Sequence, residues 1–232
     1  MSKVFIHPKP LKKGIFLKRY KRFFIDFIDH NNKKQVAHCA NPGRMTGLLK
    51  EGAELSYIEK PHAKKLKYSI EYIKAGRCWV GINTQHANQI FHNSLTKNLL
   101  PAFKNFKFIK REHKVNNSRF DFLLQKKSCA KQSLIEVKSV TLREKNLLLF
   151  PDSPSERARK HLEELMHLKE YDCHIVFIVQ RSDGKIFKAA EHIDPLFAEL
   201  LKKAKQKLSL HVFQYNCRQD GIHFKKAIAL QF

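Results

Sequence analysis

The chain has 232 residues, 43% of them apolar, and 45 Lys and Arg against 21 Asp and Glu, for a formal net charge of +24. The apolar fraction is enough for a packed core and argues against disorder. A charge excess of this size self-repels unless a polyanion neutralises it. Nucleic acid is therefore the expected partner, and a merely solvated basic surface is the alternative. The longest apolar runs, at 147–150 and 175–179, are too short to cross a bilayer.

Residues 1–82 hold 18 Lys and Arg against 6 Asp and Glu, and residues 83–232 hold 27 against 15, so the shorter part is charged about twice as densely. A boundary near residue 82 separates the two. Residues 1–13 carry lysines with no apolar stretch behind them, so they are not expected to be a signal peptide. Residues 14–27 are strongly β-prone and are followed by a polar turn at His30-Asn31-Asn32-Lys33. Further strands are expected at 35–39, 53–59, 68–74 and 78–82, with a turn at Asn41-Pro42-Gly43. Several short strands in about eighty residues point to a small barrel of the OB type. Lys18-Arg19-Tyr20-Lys21-Arg22-Phe23-Phe24 interleaves bases with aromatics, the composition of a surface where rings stack bases and cations hold phosphates. Phe23, Phe24 and Phe27 are assigned to the barrel core and Tyr20 to the surface. The 41–44 turn can present Arg44 outward or serve only as a strand connection.

Residues 83–232 alternate differently. A helix is expected at 85–100, stopped by Pro101, then strands at 106–115, 119–125 and 133–140. The clearest helix runs from about 154 to 171, with Ser153 and Glu156 as a capping box and Pro154 at the first helical position. Strand 174–180, a helix opened by Asp194-Pro195 and a strand at 210–216 complete an α/β order around a central mixed sheet.

Two strands carry the candidate chemistry. Asp121 sits inside the apolar run Phe120-Asp121-Phe122-Leu123-Leu124, and fifteen residues later comes Leu134-Ile135-Glu136-Val137-Lys138. Strand alternation puts Glu136 and Lys138 on one face and Val137 on the other. A carboxylate in such a run must be exposed, paired or bound to metal, because burying it alone is costly. Two acids and a lysine on neighbouring strands suit a Mg²⁺- or Mn²⁺-dependent phosphodiesterase: carboxylates hold a hard cation and lysine faces the phosphate. The alternative is a surface Glu136–Lys138 pair, with Asp121 capping a turn through Ser118. Arg157, Arg159, Lys160 and His161 crowd the first turns of the 154 helix, where the helix dipole disfavours cations, so a bound phosphate is expected there. A solvated face balanced by Glu163 and Glu164 is the competing explanation.

Five cysteines at 39, 78, 129, 173 and 217 have neither CxxC spacing nor an even count. They form no disulfide framework or zinc ribbon and fit a reducing cytoplasm. The thirteen histidines show no HExxH pair, which leaves no metal-site motif among them.

The order Asp121…Glu136-Val137-Lys138 on helix–strand–strand–strand–helix–strand resembles the PD-(D/E)xK nuclease fold. Arg19-Tyr20-Lys21-Arg22-Phe23, Asn41-Pro42-Gly43-Arg44-Met45, Ser118-Arg119-Phe120-Asp121, Glu136-Val137-Lys138-Ser139-Val140-Thr141, and Phe150-Pro151-Asp152 with Glu156-Arg157 and Arg159-Lys160-His161 are more specific. Together they resemble the sugar fermentation stimulation protein A family along nearly the whole chain. That resemblance implies DNA binding, an N-terminal OB-like barrel (1–82) and a nuclease-like α/β domain (83–232). It also implies a regulatory link to sugar metabolism. Within a nuclease-like site Asp121 and Glu136 would bind metal and Lys138 would assist. Arg19, Tyr20, Lys21, Arg22, Arg44, Arg119, Arg157, Arg159 and Lys160 would contact DNA. Nuclease folds often add an acid from the first core helix, but 85–100 has none, and His92 and Asn93 stand where one is sought. Glu112 is either a ligand or a neutralised surface acid. Gln180 either helps fix a water or phosphate or ends its strand in solvent. A non-enzymatic DNA-binding regulator that retains the fold remains a competing reading, as does an RNA-binding factor.

Overall fold

A computed structural model describes residues 1–61, 63 and 65–232. The chain opens with a short strand, β1 (Lys3–Phe5). The β-prone segment at 14–27, expected as one piece, is two strands, β2 (Lys12–Tyr20) and β3 (Phe24–Ile28). Lys21 and Arg22 sit at φ 46° and 61° and reverse the chain between them. Positive φ at two successive positions is the geometry of tight hairpins, whose twist matches that of the flanking strands. Two of the three core assignments are overturned. Phe27 is fully buried, but Phe24 is only half-buried and lies outside the barrel core, and Phe23 is 42% exposed and stacks on His38 at the hairpin end. Tyr20 is exposed as expected and stacks on Phe24.

The barrel continues with β4 (Lys34–His38), β5 (Glu54–Glu59), β6 (Tyr68–Ala75) and β7 (Cys78–Gly81). Its order is β4-β3-β2-β5-β6-β7, and a parallel β4–β6 pairing closes five of these strands into an OB-like barrel. Phe16, Ile25, Phe27, Leu55, Tyr57, Ile70, Ile73 and Val80 fill it. Each such side chain, fully buried, contributes on the order of 1.5–3 kcal/mol.

The second half runs α1 (His86–Thr96), β8 (Phe106–Val115), β9 (Ser118–Lys126), β10 (Gln132–Val140), β11 (Leu142–Glu144), β12 (Leu147–Phe150), α2 (Glu156–His167), β13 (Asp172–Val179), β14 (Ile186–Ala189), α3 (Pro195–Ala204), β15 (Ser209–Arg218) and β16 (Gly221–Ala227). Seven strands form a mixed sheet in the order β1-β16-β15-β13-β10-β9-β8, with β10, β13 and β15 parallel. A smaller sheet, β11-β12-β14, stands beside it. The N-terminal strand β1 thus pairs with β16 at the edge of the larger sheet.

Helices cover both faces. Ile90 and Phe91 of α1 pack with Phe122, Ile135, Val137, Val176 and Ile178. Leu162 of α2 and Phe197 and Leu201 of α3 pack with Leu134, Ile175, Phe177 and Val179. A strand buried on both faces reads as a continuous apolar run, which is the pattern of β13. Helix α2 begins later than the capping box suggested: Ser155, not Ser153, is its N-cap, accepting a bond from Ala158 N at 3.2 Å. Pro154 therefore precedes the cap instead of opening the helix. Ser155 is held in turn by Asp194, which takes its backbone N–H at 2.9 Å and caps α3.

Among the described residues no helix is long and apolar enough to cross a membrane. The five cysteines are all free, and Cys129 alone is exposed.

Candidate functional site

The site forms where β9 and β10 part. Their antiparallel register ends at Ile135 opposite Phe122. Beyond that point the Val137 N–H has lost its ladder partner, and Asp121 Oδ2 accepts it at 2.7 Å. A buried backbone donor needs such a partner. The other Asp121 oxygen accepts from Asn88 Nδ2 of α1, also at 2.7 Å. Glu136, 4% exposed, sits among residues packed toward α2. Its Oε1 receives Lys138 Nζ at 2.7 Å and faces His161 Nδ1 at 2.6 Å.

Electrostatics separate the two acids. Burial and the nearby Glu136 charge push the Asp121 carboxyl up to about 6. Burial pushes Glu136 up as well, but His161 and Lys138 outweigh it and hold that carboxyl below its ordinary range. The Glu136 charge raises the proton affinity of Asp121, and a cation between such carboxylates relieves that repulsion.

Asn88, Val137 and Lys138 form one wall of a cavity of about 380 Å³, with Arg22, Asn41, Pro42 and Gly43 of the barrel and Asp152 and Ser153 of the β12–α2 loop around it. Asp121 and Glu136 lie behind that wall, each bonded to a residue that lines it. A second hollow, lined by Arg19, Arg22, Arg44, Gly43, Ser153 and Pro154, shares residues with the first and makes its mouth basic. The barrel loop and the β12–α2 loop are in direct contact. Asp152 Oδ2 accepts the Met45 N–H at 3.2 Å, while on its other side the barrel loop is tied to the end of β7, Asn41 Nδ2 donating to Ile82 O at 3.0 Å. A Cβ at Gly43 would lie 2.1 Å from Asp152 Oδ2, so only glycine fits this approach.

The expected basic residues divide by what they touch. Arg22, Arg44, Lys21, Arg157 and Lys160 are exposed. Arg19 is half-buried and engaged with the barrel's own backbone: it donates to Gly43 O, Asn41 O and Arg22 O at 2.7–2.8 Å and fastens the loop that carries Arg44. Arg159 donates to both oxygens of Asp194 at 2.8 Å. With His161 turned to Glu136 and Lys160 lying 3.9 Å from Glu164, three of the four cations expected around a phosphate at α2 face an acid of the chain. Arg119 lies 4.0 Å from Glu112 on the β8–β9 edge, and Glu112 is an exposed acid at φ 53°. Gln180 does not end in solvent. It is fully buried, with Nε2 donating to Ser139 Oγ at 2.9 Å and to Asn83 O at 3.3 Å. His92 stacks on Phe122, and Asn93 donates to Val4 O. The α1 residue that faces the acids is Asn88. Asn88 carries no signal in the sequence; His161, expected as a phosphate contact, instead faces Glu136 from the buried side of α2, at helical spacing with Ala158, Leu162 and Leu165.

A closed OB-like barrel joined to a mixed sheet with an Asp…Glu-x-Lys constellation at its splayed strands defines a protein with a PD-(D/E)xK nuclease-like fold behind an OB domain. Residues 17–82 match the SfsA N-terminal OB domain and residues 85–221 the sugar fermentation stimulation protein RE domain. The chain belongs to the sugar fermentation stimulation protein family. It is 39% identical to a homologue from Bdellovibrio bacteriovorus over 94% of this chain and 96% of the relative. It is 40% identical to one from Geotalea uraniireducens over 97% and 98%. The structure of Pyrococcus furiosus SfsA in complex with Ca²⁺ superposes with a TM-score of 0.90 at 28% identity, covering all of both chains.

Proposed function

We propose that this protein binds DNA in the cleft between barrel and sheet, and that the Asp121–Glu136 pair behind the cleft wall forms a divalent-cation site for phosphodiester hydrolysis. The observation that carries this reading is the placement of two acids directly behind the cavity wall, where burial and the neighbouring Glu136 charge raise Asp121 to about 6. Their oxygen-only donor set fits Mg²⁺ or Mn²⁺ held by Asp121 and Glu136. The related archaeal protein, described in complex with Ca²⁺, is in keeping with a hard cation. A bound ion would supply charge against phosphate oxygens and an activated water.

The chain's own residues do the rest. Asn88 and the Val137 N–H hold the Asp121 carboxylate in one orientation. Lys138, oriented by Glu136, brings positive charge to the cavity wall, where it opposes charge building on a phosphate. Arg22 and Arg44 at the mouth, with Lys21, Tyr20, Arg157 and Lys160 nearby on the surface, hold the DNA backbone. Arg19 and Arg159 position the loops that present them. Five free cysteines accord with a cytoplasmic setting.

One observation favours a second reading, a DNA-binding regulator linked to sugar metabolism that does not cut. Lys138 and His161 already hold the Glu136 oxygen, and α1 offers Asn88 in place of an acid. Incubating the protein with single-stranded, duplex and branched DNA in Mn²⁺ or EDTA separates the two. Mn²⁺-dependent products support hydrolysis, and retained binding with no product on any substrate supports the regulator.

A further inference from the structure

A second cluster lies apart from the acid pair. His7 follows β1, Glu71 is on β6 of the barrel, and His86 is the first residue of α1. One ligand atom from each lies within 4.8 Å of the other two. Their side chains are 3%, 0% and 18% exposed. His86 Nε2 stands 2.6 Å from Glu71 Oε2, and His7 Nδ1 stands 3.8 Å from the same oxygen.

Among the described residues, two buried atoms of this cluster have no hydrogen-bond partner: His7 Nδ1 and Glu71 Oε1. Leaving such groups unpaired costs roughly 1–3 kcal/mol each, so their presence asks for an occupant. The surroundings already orient the ligands. With the His7 Nε2 proton donated to Tyr72 Oη at 2.7 Å, Nδ1 presents its lone pair to the cluster. Asn83 Nδ2 donates to Glu71 Oε2 at 3.1 Å. Bonds from metal-bound imidazoles and carboxylates to hydroxyls and amides of this kind fix ligand orientation in metal centres.

We propose that His7, Glu71 and His86 bind a zinc-class divalent ion. Two imidazoles and one carboxylate select Zn²⁺ and its neighbours over Mg²⁺ or Ca²⁺, which prefer oxygen alone. Tetrahedral zinc spaces its donors by roughly 3.3 Å, a distance these atoms reach with small side-chain adjustments. The ion would clip three separate segments together: the N-terminal strand, the barrel and the start of α1. Because α1 also carries Asn88, which holds Asp121, the clip would position the acid pair without touching it.

Co²⁺ serves as a spectroscopic stand-in for Zn²⁺. Chelator-stripped protein titrated with Co²⁺ should take up one equivalent with visible d–d absorption, which Zn²⁺ then displaces. The signal should disappear in Glu71→Gln and His86→Ala and persist in Asp121→Ala. Circular dichroism confirms that each variant is folded. If Glu71→Gln does not fold, His7→Ala, near the N-terminus, replaces it. Zn²⁺ should also raise the melting temperature of the wild type and not of His86→Ala. No uptake by the wild type, or a signal lost only in Asp121→Ala, overturns the proposal. Its failure leaves the Asp121–Glu136 reading intact, since that site is read out by DNA cleavage.

Discussion

His161 Nδ1 lies 2.6 Å from Oε1 of Glu136, so the acid of the Glu-x-Lys strand is shared between a lysine of its own strand and a histidine of the helix packed beneath it. Removing one partner of a buried carboxylate leaves charge without compensation. His161→Ala should lower unfolding stability by about 1–3 kcal/mol. Adding Glu136→Gln should restore part of it, giving a coupling of at least ~0.5 kcal/mol in a double-mutant cycle measured by urea denaturation. Additive losses would show that the two side chains do not depend on one another.

The barrel's arginines should separate by role. Arg22→Ala and Arg44→Ala should weaken DNA binding, each lowering the slope of log affinity against log salt by about one, with unchanged melting temperature. Arg19→Ala should instead lower the melting temperature, because Arg19 ties together the carbonyls of Asn41, Gly43 and Arg22. Salt-dependent fluorescence anisotropy with parallel melting curves distinguishes them.

Gly43→Ala should force the barrel loop from the β12–α2 loop, because its Cβ would fall on the Asp152 carboxylate. The expected loss is about 1 kcal/mol, the worth of the Met45–Asp152 hydrogen bond. Asp152→Ala alone should cost a similar amount, and the double variant little more. A fully additive double variant in denaturant melts would contradict the contact.

The pH dependence of stability should show the pair of buried His174 and half-buried His211, neighbours on β13 and β15 with rings stacked 5.4 Å apart. Burial lowers both from 6.5 to about 4, and the neighbouring His211 further disfavours the cation at His174. In this window the unfolded chain binds protons that the folded chain does not. Stability is therefore full above pH 6.5 and falls as pH drops toward 4. Replacing both with Phe should flatten melting temperature against pH across that range, whereas an unchanged acid limb would exclude the pair as its source.

Much of this architecture was legible from sequence because its cues are local. The alternation around Asp121 and Glu136, the β13 run and the Asp194-Pro195 helix start each reflect a short-range rule of burial or capping. What escaped depends on contacts across the chain. Strands of three or four residues such as β1, β11 and β12 have too few residues to show a period, and they exist because a partner edge pairs with them. The 21–22 turn carries Lys and Arg where hairpin turns favour Asn and Gly, so its reversal left no turn signature. Arg19 and Arg159 read as free cations because nothing local reveals the carbonyls and the carboxylate they bind. His7, Glu71 and His86, spread over eighty residues, form no spacing motif at all.

Cleavage in the basic cleft should depend on a cation held by Asp121. The most direct test is the rate of cleavage of an end-labelled DNA in Mn²⁺ by the wild type and by Asp121→Ala, with binding of the same DNA measured alongside. The wild type should give Mn²⁺-dependent products and the variant none, at comparable affinity. Metal-dependent cleavage that survives Asp121→Ala would contradict this dependence.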